Sequence, residues 1–135
     1  MAHYEINILN SHIVYIKWQS NPLRDEAYRF VDDLRSLLDN ADTPMYFISD
    51  LRDGRIIDIR AIHLLSDLTT HENWAGSTAF SENPLSKLFT TTFRKGIFNG
   101  VERNTFFEKP EEAISFMAEM APDAVLDVDW TQIVS

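Results

Sequence analysis

The chain has 135 residues, a formal net charge of −9 and no cysteine, which suits a single domain burying about two thirds of the surface its unfolded form exposes. Lack of cysteine excludes disulfides, thiolate metal sites and cysteine nucleophiles, and the acidic charge opposes the attraction behind most nucleic-acid affinity, so no nucleic-acid partner is expected. No stretch approaches the ~20 apolar residues of a membrane span, and MAHYEINILN has no basic segment followed by an apolar run, so a cytoplasmic protein without a cofactor is expected.

Tyr4 to Leu9 and His12 to Trp18 read as strands, the second rich in β-branched and aromatic residues, with Asn10 and Ser11 as the turn. So short a connection makes an antiparallel hairpin. Asn21 and Pro22 predict a helix start, as cap and first helical residue. Leu23, Ala27, Phe30, Val31, Leu34, Leu37 and Leu38 follow at helical spacing, and Asp39, Asn40 and Pro44 end the helix.

The stretch MYFISDLRDG, from Met45, is a buried-strand signal closed by a polar turn, and RIIDIRAIHLLSDL has the spacing of an amphipathic helix capped by Asp58. A strand feeding a helix through a short charged loop is where an α/β domain usually places its site. Trp74 to Ser81 reads as a strand of small residues. Asn83 and Pro84 predict a third helix through Leu85, Leu88, Phe89 and Phe93, ending at Gly96. Thr105 to Phe107 is a short strand, and Pro110, Glu111 and Glu112 open a last helix with Ala113, Ile114 and Met117 in its buried stripe. Leu126, Val128 and Trp130 alternate with Asp127 and Asp129 in a half-buried strand pattern. The order predicts an α/β domain over residues 1–121, whose mixed sheet opens with an antiparallel hairpin and carries four helices. Residues 122–135 are expected to form an extension that adds a strand or a homodimer contact.

This order resembles the STAS domain of the anti-sigma-factor antagonists and, more closely, the small SpoIIAA-like proteins, which share their architecture with CRAL-TRIO lipid carriers. The resemblance rests on Asp50 and Leu51 followed by Ile56, Ile57 and Asp58 at a helix start, and on the closing run VERNTFFEKPEEAISFM. It covers roughly Tyr4 to Met120 and implies a regulatory, protein-binding module. In the antagonists, serines follow the acidic residue at the helix start and one of them takes a phosphate. Here Asp58 is followed by Ile59, Arg60 and Ala61, so the resemblance does not extend to that switch.

Asp50, Arg52, Asp53, Arg55, Asp58 and Arg60 alternate in sign. With His63, the residues Asp50, Arg52, Asp53, Asp58 and Arg60 form the expected partner-binding surface; the plainer reading is a turn at Asp53-Gly54 and a cap at Asp58. The CRAL-TRIO resemblance implies an alternative, a small apolar ligand held by Trp74, Phe80, Phe89, Phe93 and Phe106, against which stands a simple core. His63, Asp67 and His71 fall four apart on one helix, but at ~1.5 Å rise per residue the outer two lie about 12 Å apart, too far for one metal ion. Asp50, Thr78 and Lys109 follow the order of a phosphoacceptor receiver, without the acids that would hold magnesium. With no serine elbow and no glycine-rich phosphate loop, no enzyme is expected.

Overall fold

The computed structural model describes residues 3–55, 58–81, 104–126 and 128–131, with the backbone alone for 104–106. Among them are five strands and three helices: β1 (Tyr4–Ile8), β2 (Ile13–Trp18), α1 (Arg24–Asp39), β3 (Met45–Asp50), α2 (Ile59–Leu68), β4 (Trp74–Phe80), β5 (Asn104–Phe107) and α3 (Pro110–Met120). The helix expected from Asn83 to Gly96, the fourth of the sequence reading, lies outside the described residues.

The strands form one sheet in chain order, β1 antiparallel to β2 and each later pair parallel. Because each crossover moves to the next strand in the same direction, right-handed connections bring α1 and α2 to one face. On that face Val14, Ile16, Trp18, Met45, Phe47 and Trp74 meet Ala27, Phe30, Val31, Leu34 and Leu38 of α1 and Ala61, Ile62 and Leu68 of α2. The opposite face packs Ile13, Tyr15, Ile48 and Phe80 against Ala113 and Met117 of α3. Two-residue alternation in β2 divides its side chains between the two cores, which is why nearly the whole strand is buried.

Along β4 the division depends on a bulge. Met45 pairs with Trp74 but Tyr46 pairs with Gly76, so Ala75 is an extra residue. Trp74 therefore joins the first core, stacked on Phe47 with ring centroids 4.4 Å apart. Past the bulge, Thr78 and Phe80 are opposite Ile48 and Asp50 on the other face.

Two expectations are corrected. Helix α1 starts at Arg24 with Leu23 as its cap residue, two positions later than Asn21-Pro22 predicts; Asn21 instead accepts a backbone hydrogen bond from Arg55 at 3.0 Å. The tail holds no strand among its described residues: 122–126 are turns and 128–130 are irregular. Its alternation has another cause, since Val125, Val128 and Trp130 lie against the α3-face core of their own domain while Leu126 stays 80% exposed. The hairpin turn anchors this segment. Asn10 Oδ1 accepts the His12 and Ile13 N–H groups at 2.8 and 2.9 Å, and Nδ2 donates to the Ala124 carbonyl at 2.7 Å. Replacing Asn10→Ala removes all three bonds and should lower stability by about 2 kcal/mol in urea unfolding; an unchanged midpoint would show that the turn does not need the side chain.

Candidate functional site

The loops at the carboxyl end of β2 and β3 interlock, and the charged stretch from Asp50 to His63 divides there into residues that hold and residues that face outward. Asp50, the last residue of β3, is 1% exposed. A buried carboxylate needs partners on both oxygens. Arg52 supplies a two-pronged fork, Nε to Oδ1 at 3.0 Å and Nη2 to Oδ2 at 2.8 Å, and its backbone N–H donates to Oδ1 at 3.0 Å. The Tyr15 hydroxyl donates to Oδ2 at 2.9 Å. The guanidinium lies 5.2 Å from the centroid of the Phe80 ring, so the same side chain also makes a cation–π contact. Burial alone would raise the Asp50 pKa, but the bonds from Arg52 and Tyr15 outweigh it and hold the carboxyl below its usual range. Burial, and then the Asp50 charge, push the Tyr15 hydroxyl upward.

From Arg52 the chain turns back over the β2–α1 loop. Gly54 is buried, and a Cβ there would stand 2.4 Å from the Ser20 carbonyl carbon and oxygen, a distance backbone atoms do not tolerate. The Arg55–Asn21 bond continues the contact. Asp58 then caps α2, accepting the Ala61 N–H at 2.9 Å on Oδ1 and Arg24 Nε at 2.9 Å on Oδ2. The Ala61 bond, first, and Arg24 lower its pKa, with burial opposing them. Arg24 opens α1, so this ion pair ties the first turns of the two helices together.

Of the six residues expected to meet a partner, Asp50, Arg52 and Asp58 are thus committed to contacts inside the chain. Asp53, Arg60 and His63 are exposed. Beside them are two large apolar side chains open to solvent, Leu23 at 76% and Ile59 at 70%, on either side of the Arg24–Asp58 pair in sequence. Periodicity does not reveal Leu23, because a leucine before a helix resembles the start of its buried stripe. Tyr15 and Arg24 depend on strand and helix adjacency that no local pattern encodes.

The other candidate sets are not brought together. Trp74 and Phe80 lie on opposite faces of the sheet and share no pocket wall; Phe89, Phe93 and the Phe106 side chain lie outside the described residues. Thr78 is on the same face as Asp50 but is 2% exposed, and both Asp50 oxygens are already bonded, so Asp50 is not presented as a receiver's phosphoacceptor would be. His63 and Asp67 are exposed on α2, whereas His71 bonds Asp39 at 2.8 Å at the far end of α1. Among the described residues, no helix is long and apolar enough to cross a membrane.

No family model matches the chain, and no curated protein does. Among solved structures, the fold matches that of an uncharacterised protein of the DUF3478 family with a SpoIIAA-like fold, from Shewanella loihica PV-4. The TM-score is 0.59 at 15% identity, over 86% of this chain and 94% of that one. The chain therefore has a SpoIIAA-like α/β fold, with the opening hairpin and mixed sheet described above.

Two substitutions test the interlocked loops. Gly54→Ala should cost about 1–3 kcal/mol by forcing backbone apart; a variant as stable as the parent in urea would mean that Ser20 yields freely. Asp50→Asn removes the negative charge that the Arg52 fork faces and should cost about 3–5 kcal/mol at pH 7. A lowered carboxyl stabilises the fold fully above its unfolded value of about 3.9 and loses that contribution as acid protonates the folded form. The gap between parent and Asp50→Asn should accordingly narrow as pH falls below about 4, and a gap independent of pH would contradict the ion pair's role.

Proposed function

We propose that this chain is a non-enzymatic protein-binding module whose contact surface is the carboxyl end of the sheet. Leu23, Ile59 and Arg60 form its centre, and Asp53 and His63 lie on its margin. The observation that carries the reading is the exposure of Leu23 and Ile59 at 76% and 70%, next to helix starts fixed by the Arg24–Asp58 pair. Exposed apolar side chains gain nothing from water, whereas on a preorganised surface they supply a partner with buried area at little ordering cost. The likeness to a SpoIIAA-like protein supports a binding role by analogy of fold alone. No serine follows Asp58, so control by phosphorylation at the antagonists' position is not part of the proposal.

The chemistry of the loop is consistent with binding rather than catalysis. Asp50 is the deepest acid of the loop, and both its oxygens are occupied by Arg52 and Tyr15. Asp58 is similarly occupied by Ala61 and Arg24. Taking a proton from a substrate would break the bonds that hold Asp50 in the loop, and at Asp58 it would weaken both the helix cap and the Arg24 pair.

The test is the pair Ile59→Glu and Arg60→Glu. Both positions are exposed in the first turn of α2, where an acid is favourable, so the thermal midpoint should stay within about 2 °C of the parent. A protein captured by the parent from its native cells should bind the double variant at least about tenfold more weakly. Equal capture by both would remove this surface from consideration. A mass released only on denaturation, read by comparing native and denaturing mass spectra of the parent, would favour the apolar-ligand carrier instead.

A further inference from the structure

β1 pairs with β2 on one side, and the hydrogen-bond phase fixes which of its groups remain. The Leu9 N–H donates to the Ile13 carbonyl at 2.9 Å and the Gln19 N–H to the His3 carbonyl at 2.7 Å. The register places Glu5 opposite Lys17 and Asn7 opposite Tyr15 in the same phase. Odd-numbered residues of β1 therefore spend their backbone groups on β2, and the N–H and C=O of Tyr4, Ile6 and Ile8 point out from the sheet edge. The same three residues place their side chains on the face covered by α1. Tyr4 packs on Trp18 and Phe30 there, and Ile6 is half-buried, but Ile8 is 64% exposed. Few of the devices that normally protect such an edge stand within β1: it has no proline and no lysine, its pairing with β2 is regular, and Glu5 is its one charged side chain.

A second β1 fits this edge best in one register. An antiparallel strand must place even residues opposite even residues for the outward groups to bond. Centring the pair on Ile6 uses all five residues, setting Tyr4 beside the partner's Ile8 and Glu5 beside the partner's Asn7. The aromatic ring then covers the exposed isoleucine, a favourable cross-strand pair, and no like charges meet. Centring on Glu5 or Asn7 also keeps even residues opposite even ones, but the overlap within β1 falls to three residues and the Tyr4–Ile8 and Glu5–Asn7 pairings are both lost, with Glu5 facing the partner's Glu5 in the first case. We propose that the β1 edge is a self-association surface on which a second copy of this chain adds its own β1, antiparallel and centred on Ile6, to give one continuous sheet. The apolar tail residues that suggested a dimer in the sequence are largely used within their own domain, so this contact is separate from the tail and from the carboxyl-end surface.

The experiment uses the full chain. Light scattering over about 1–200 µM should show a concentration-dependent dimer. Ile8→Lys, at an exposed position, should weaken the dimer at least about tenfold with an unchanged circular dichroism spectrum. The register is read by cross-linking, which is clean because the chain has no cysteine. Glu5 and the partner's Asn7 form a non-hydrogen-bonded pair about 4.5 Å apart at Cα, within disulfide reach, whereas two Glu5 positions lie diagonally about 7–8 Å apart. Glu5→Cys mixed with Asn7→Cys should form a disulfide dimer several-fold faster than either variant alone. A monomer throughout the concentration range, a dimer indifferent to Ile8→Lys, or equal cross-linking in all three samples would each overturn the proposal.

Discussion

The carboxyl end of this sheet depends on a single buried ion pair. Asp50 ends a strand inside the protein, and a carboxylate at 1% exposure is tolerable only with a cation and hydrogen bonds around it. Arg52, two residues on, can reach it only if the chain turns sharply after Leu51. That turn directs Asp53 and Gly54 back over Ser20, and Gly54 fits because it has no Cβ. Once the loop is there, Asn21 is within bonding distance of Arg55, and Asp58 arrives where it can cap α2 and bind Arg24. One electrostatic requirement thus sets the path of the loop and, through it, the separation of two helix starts.

A second constraint is the extra residue at Ala75. Without it, strict alternation would put Trp74 and Phe80 on the same side of β4 and gather the aromatic side chains into one region, as an apolar pocket would need. With it, Trp74 stacks on Phe47 beneath α1 and α2, while Phe80 lies under α3 beside Arg52. The two rings finish two different cores. Phe80 also connects this division to the site, because the ring that fills the α3-face core is the one on which the Arg52 guanidinium rests.

Much of the fold is legible in the sequence because its signals are local. Six apolar positions at helical spacing mark α1, the run HIVYIKW marks β2, and Asp58 ahead of an amphipathic stretch marks a cap that the structure contains. The start of α1 is misplaced by two residues because Asn21-Pro22 is a strong local signal, while Asn21 is engaged by Arg55, 34 residues away. The tail misleads for a related reason. Alternation reports that one side of a segment is covered, and irregular chain held at Asn10 covers Val128 and Trp130 without a strand while Leu126, the first residue of the pattern, stays exposed. The distant partners of the two carboxylates were not legible at all: Tyr15 reaches Asp50 only through the parallel pairing of β2 with β3, and Arg24 reaches Asp58 only because two helices begin side by side.

This difference between local and distant partners decides what an alanine substitution in the loop would mean. Asp58 belongs to the charged stretch that first suggests a binding surface, yet its removal would free the Ala61 N–H and release Arg24 together. Weakened binding in such a variant would report a displaced helix as readily as a lost contact. Ile59 and Arg60, one and two residues further along, carry no such double duty, because both are exposed in the first turn and the cap does not pass through their side chains. For the proposed surface the informative residues are therefore Leu23 and Ile59, which the charge pattern does not mark, together with the exposed Arg60, while the buried or capped carboxylates Asp50 and Asp58 hold the loop and helix starts in a fixed arrangement.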